Sequence, residues 1–179
     1  MSFIINDFFL DFFLLFIPLY FLYFYDNLNS FKLIFKNQGI KNIYWKKLIK
    51  QVFILFFLMF VISYAISLVA MFFGAQDLNL VSSTIVALPI IYVLYLFVVR
   101  VFLEEWFFRG FLVNKVGVII SSALFAAGHI LYGSITEVIG AFVLGVLLAR
   151  YYKKVGNLWV TFVAHFLYNL VAYAFMVLG

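Results

Sequence analysis

From residue 8 to residue 178 the chain is a succession of apolar runs, each near the length of a bilayer crossing, joined by short polar links. This feature limits the fold more than any other. A helix needs about 20 apolar residues to cross the hydrocarbon core, so 179 residues leave room for about six crossings in one domain. Composition agrees: 68% of residues are hydrophobic, only 11% are charged, and the mean hydropathy is +1.19. Soluble domains carry roughly 25% charged residues. The expected fold is all-α, a polytopic membrane protein of about six transmembrane helices in one bundle.

The expected crossings are 8–25, 52–73, 83–113, 118–132, 135–151 and 158–178. Between the first two, residues 31–50 interleave six lysines with Phe, Ile, Leu and Trp45. That segment reads as interfacial, with the indole at headgroup level; the plainer alternative is a basic loop. The third run is too long for one upright crossing, reaching roughly 45 Å against a core of ~30 Å. Tilt, protrusion or a kink at Pro89 has to absorb the excess. Residues 114–117 form a tight turn. Residues 1–82 therefore supply N-terminal spans and the basic segment, and 83–179 the functional core. Eight of the ten glycines lie after position 100, and Ala141 with Gly145 predicts close approach by a neighbouring helix.

Charge sets orientation. With six crossings, 26–50, 114–117 and 151–157 face one side and hold nine lysines, while the opposite segments hold none. The positive-inside rule puts those loops in the cytoplasm and both termini outside. The formal net charge of +5 thus points to topology and anionic lipid rather than to nucleic acid. There is no cysteine, so thiolate and disulfide chemistry are excluded. No Lys or Arg precedes the first apolar run, and no removable signal peptide is expected.

Within these apolar runs stand three polar clusters: Glu104, Glu105 and Arg109; His129; and His165 with Asn169. Ionised groups inside a membrane are costly and usually functional. Counting residues from the cytoplasmic turns puts the clusters at similar depth, roughly 12–18 Å down. One polar site open to the cytoplasm explains the coincidence. Arg100 with Glu104, and Glu105 with Arg109, are i,i+4 pairs able to neutralise each other. His165 and Asn169 share a helix face, and Phe125 sits one turn from His129. The plain alternative is that paired Glu and Arg only cross-link helices.

A Glu can take a proton from water, and an imidazole can position that water. A second His with an Asn offers donors to a developing oxyanion. That set suits direct hydrolysis of an amide. Neither Gly-x-Ser-x-Gly nor His-Glu-x-x-His occurs, which excludes the usual serine hydrolases and zincins. A zinc ion on Glu104, His129 and His165 is chemically allowed. It is disfavoured because Arg109 is expected to claim Glu105, leaving no carboxylate for a ligating imidazole, and because zinc gives Asn169 no task. No cofactor is therefore expected.

Glu-Glu-x-x-x-Arg (Glu104, Glu105, Arg109), Phe-x-x-x-His (Phe125, His129) and His-x-x-x-Asn (His165, Asn169) resemble, in order and rough spacing, the CPBP family. That family comprises type II CAAX prenyl endopeptidases, bacteriocin-processing or self-immunity proteins and Abi proteins. The resemblance covers about residues 100–170. It implies an intramembrane endopeptidase with a cavity open to the cytoplasm. Glu104 and His129 would activate water, His165 and Asn169 would form the oxyanion site, and Glu105 and Arg109 would hold the architecture. The implied substrate is a peptide or membrane protein, prenylated or a bacteriocin or pheromone precursor. Two other classes compete: a non-catalytic immunity or scaffold protein of the same fold, and a small proton-coupled transporter. No inverted repeat supports the transporter.

Overall fold

The computed structural model describes residues 2–75 and 77–178. They are helical throughout, with no strand among the described residues: α1 (Ser2–Phe24), α2 (Phe31–Asn37), α3 (Trp45–Phe72), α4 (Leu78–Val86) and α5 (Ile90–Tyr95) lead into the polar core. There the rod continues through a π-helical stretch (Leu96–Arg100), α6 (Val101–Glu104), a second π-helical stretch (Glu105–Leu112) and α7 (Val113–Ala127). A short 3-10 turn (Ile130–Tyr132), α8 (Ile135–Val155) and α9 (Leu158–Leu178) complete the chain.

Three helices, α3, α8 and α9, are long and apolar enough to cross a membrane, and a bent pair raises the number to as many as four. The bent pair is Asn79–Val86 with Ile90–Tyr132, turned through 113°. The break falls at Pro89, which lacks the N–H to continue a helix and biases the residue before it away from helical backbone. The excess length of the third run is thus absorbed by folding 78–86 away as a separate helix. The first run forms a shorter apolar helix, Phe8–Phe24.

Other boundaries move as well. Trp45 begins α3, so Lys46, Lys47 and Lys50 belong to the first turns of this 28-residue helix rather than to a separate segment. Only the short α2 and the loop after it stay outside the rods. The expected turn at 114–117 appears as a break at Gly117, whose φ of 84° is closed to most side chains. The run 118–132 is helical only to Ala127. His129 therefore lies past the end of α7, at the start of the 3-10 turn.

The helices pack α7 on α8, α3 on α8 and α9, and α1 against the second π-helical stretch. Leu55 and Met59 of α3 meet Leu148 of α8 and Val160 and Ala164 of α9 in one apolar cluster. Leu22, Ile34, Trp106, Phe111, Tyr152 and Leu158 form a second. Gly145 is where α8 meets α7: a methyl there would stand 3.3 Å from the Phe125 ring and from Ser122 Cβ. Outward, α3 is mostly unburied and presents Phe53, Phe57, Tyr64 and Phe72, as a lipid-facing helix should. A polar clasp fixes α1 on the rod. Asp11 takes an ion pair from Arg100 and a hydrogen bond from the Tyr95 hydroxyl. Arg100 thus has a partner on another helix, where the sequence offered only Glu104.

Candidate active site

The second π-helical stretch begins at Glu105 and carries the Glu-x-x-x-Arg half of the first motif. Its wider turn departs from 3.6-residue spacing, a distortion frequent at functional sites. Glu105 and Arg109 are both almost completely buried, and Arg109 Nη1 lies 3.1 Å from Glu105 Oε1. The same oxygen faces α9, where His165 Nδ1 stands 2.9 Å away. Arg109 therefore does not claim Glu105 for itself. One carboxylate oxygen serves a guanidinium on its own helix and an imidazole 60 residues on.

Phe125 sits at the centre of the group. The Arg109 guanidinium lies 4.1 Å from the ring centroid, in cation–π contact. The His129 ring is 4.7 Å away and the His165 ring 6.1 Å. Both histidines and the Glu-x-x-x-Arg element thus pack around one buried phenyl. Its place in the second motif is that of a spacer between two imidazoles on different helices.

Tautomers follow from the partners. His129 Nδ1 is 3.0 Å from the Phe125 carbonyl oxygen, an acceptor, so this nitrogen carries the proton and donates. Nε2 is then left with its lone pair outward. His165 presents Nδ1 to the Glu105 carboxylate and likewise leaves Nε2 available. Asn169, one turn on, is half-buried and makes no hydrogen bond among the described residues. Glu104 is half-buried beside Glu105, and its charge reaches Arg109. Glu105 is thus the carboxylate bound to His165, and Glu104 the one left unclaimed.

The structure adds a residue the sequence reading passed over. Glu137, in the first turn of α8, is half-buried and within electrostatic reach of both His129 and His165. Its backbone N–H is capped by the Ser134 hydroxyl at 3.0 Å. The Ser-x-x-Glu spacing was visible as a capping-box signature, but nothing in it pointed to the histidines. The start of α8 is capped further by Asp77, whose carboxylate accepts from the N–H groups of Ile135 and Thr136. Asp77 titrates below its ordinary 3.8, chiefly because the Thr136 side chain donates to its charged form.

Among the described residues no group of three or more His, Cys, Asp or Glu side chains is placed to hold a metal ion.

Residues 86–171 match the family model of the type II CAAX prenyl endopeptidases, Rce1-like. The matched segment takes in all three polar motifs and extends a turn or more beyond the 100–170 resemblance read from them. No curated protein and no solved structure matches the chain.

Proposed function

We propose that this membrane protein, Rce1-like over residues 86–171, is an intramembrane endopeptidase that hydrolyses a peptide bond with water activated by Glu104 and His129. The observation that supports it most is the 2.9 Å contact of His165 with Glu105. It ties the first motif to the last and orients an imidazole whose Nε2 is free to meet substrate.

In this reading Glu104 takes a proton from a water that the outward Nε2 lone pair of His129 holds in place. The water oxygen bonds to the scissile carbonyl carbon, and the carbonyl oxygen takes up the negative charge. Asn169 and His165 donate to that oxyanion. Because His165 Nδ1–H is directed at Glu105, donation from Nε2 requires a second proton on the ring. Collapse breaks the C–N bond, and the proton held by Glu104 passes to the leaving amine. No step is routed through a metal. Asn169 has a task here, as an uncharged donor one turn from His165.

The topology that goes with this reading counts α1, α3, 90–112, 118–132, α8 and α9 as six crossings, the fourth made of the end of α7 and the 3-10 turn, with the lysine-bearing loops in the cytoplasm. The substrate class is a membrane-associated peptide, with prenylated CAAX termini the first to try.

The test is cleavage of a membrane-peptide library, prenylated CAAX peptides included, by protein purified without added metal, with and without chelator. Cleavage that survives chelator to within about twofold and disappears in Glu104→Gln supports the mechanism. Activity lost on stripping zinc and restored by adding it back overturns the mechanism and leaves the peptidase. A protein that cleaves nothing, while Glu104→Gln keeps a full immunity phenotype, belongs to the scaffold class instead.

A further inference from the structure

The lysine-rich end of the bundle carries a second polar construction, remote in sequence from the histidine motifs. The end of α2 with its following loop, the turn at Asn114 and the turn after α8 border an open cavity of about 220 Å³. Lys36, Lys41 and Lys153 rim it, and none of the three has a carboxylate partner among the described residues. Nearby Lys115, by contrast, is held by Asp26 at 2.7 Å.

No acidic side chain lines this cavity; its walls add the neutral hydrogen-bonding groups of Asn37, Asn114 and Tyr152. Two glycines keep it open. Gly39 and Gly156 both have positive φ, 77° and 64°, and a methyl on Gly156 would stand 3.4 Å from the Lys41 ammonium. Asn37 and Asn114 also line an adjoining cavity of about 430 Å³, whose walls include Gln38 and the Asp26–Lys115 ion pair. The Gln38 side chain is fully buried, with neither amide atom hydrogen-bonded. A buried amide without partners is costly, and a polar ligand reaching between the two cavities would satisfy it.

We propose that this cavity binds the phosphate group of an anionic lipid headgroup, with Lys36, Lys41 and Lys153 as its cationic cradle. Three unpaired cations from separate segments, with no anion on the same cavity walls and the nearby Asp26 already held by Lys115, match a phosphate rather than a zwitterionic head. The site lies where the loops leave the first turns of α3 and the last of α8, the level at which basic pockets between helices meet headgroups. Nothing in this inference depends on peptidase activity.

The experiment is native mass spectrometry of the full chain in detergent, titrated with phosphatidate or phosphatidylcholine. One bound phosphatidate per chain is expected, with phosphatidylcholine weaker by about tenfold or more, as expected where charge carries the recognition. Replacing Lys36, Lys41 and Lys153 together by Gln abolishes that preference, while replacing all three by Arg retains it and controls for folding. Replacing Lys46, Lys47 and Lys50 by Gln, on the same side but off the cavity, leaves it unchanged. Equal loss in both Gln triples, or equal binding of phosphatidylcholine, overturns the proposal. Competition with inorganic phosphate separates the sources: displacement supports a site for the group alone, and its absence one that also grips the lipid.

Discussion

His165 Nδ1 and Glu105 Oε1 stand 2.9 Å apart, and Arg109 approaches the same oxygen at 3.1 Å. A single buried carboxylate thus balances two nitrogen bases drawn from two helices. Removing one member of a buried ion pair costs about 3–5 kcal/mol, since it leaves the other charge uncompensated. Glu105→Gln should accordingly lower the yield and the thermal midpoint in detergent, and His165→Ala should do so less, since Arg109 still neutralises the carboxylate. A Glu105→Gln protein that melts with the wild type would show that the triad does not brace the bundle.

Glu104 and His129 lie outside that triad. Glu104→Gln and His129→Ala should insert and melt like the wild type, yet lose about 10²-fold or more in cleavage rate. Melting curves recorded beside single-turnover rates make the comparison. If either variant loses stability in proportion to its rate, its role is structural and the assignment fails.

Glu137 supplies a charge within reach of both imidazoles. Glu137→Gln is expected to reduce the cleavage rate about tenfold, equivalent to about 1.4 kcal/mol of barrier. Yield should hold, because the Ser134 hydroxyl that caps its N–H at 3.0 Å is untouched. Glu137→Asp should recover part of the rate. Wild-type kinetics across the pH range in Glu137→Gln would reduce the residue to a helix-start preference.

Asp77 ties the loop before α4 to the start of α8. Its carboxyl is depressed below 3.8 in the folded protein, chiefly by the Thr136 side chain. A depressed acid stabilises the fold above its unfolded value, and the contribution fades as pH falls through the lower folded value. The stability gap between wild type and Asp77→Asn should therefore stay level at neutral pH and shrink as pH drops below about 3.8. Denaturation curves of both proteins from pH 7 downward check the sign; a gap that widens in acid contradicts it.

Orientation is open to a direct measurement. Every loop lysine falls on one side in the six-crossing arrangement, so reporters at Lys36 and Lys153 should read cytoplasmic and one at the C-terminus external. A cytoplasmic C-terminus would remove a crossing and overturn the six-crossing arrangement.

The sequence alone determined the class of fold and the identity of the polar clusters. Apolar runs this long admit helices in lipid, and charges or histidines set among them stand out because their insertion is costly. It also offered Pro89 as one of three ways to absorb the long third run and placed the tight turn at 114–117, since proline and glycine act on their own backbone. What it left open were relations between segments. That Glu105 shares one oxygen between Arg109 and His165 and that Asp11 clasps Arg100 depend on contacts 60 and 89 residues apart, and that Glu137 lies within electrostatic reach of both histidines depends on how α8 packs. Helical periodicity gives each side chain a face on its own rod but says nothing of which rod lies opposite. The same limit hid the π-helical turn at Glu105 and the end of α7 before His129. At Glu105 the wider turn accompanies contacts that Glu105 and Arg109 make with His165 and Phe125, both on other helices, and no local periodicity reports such partners.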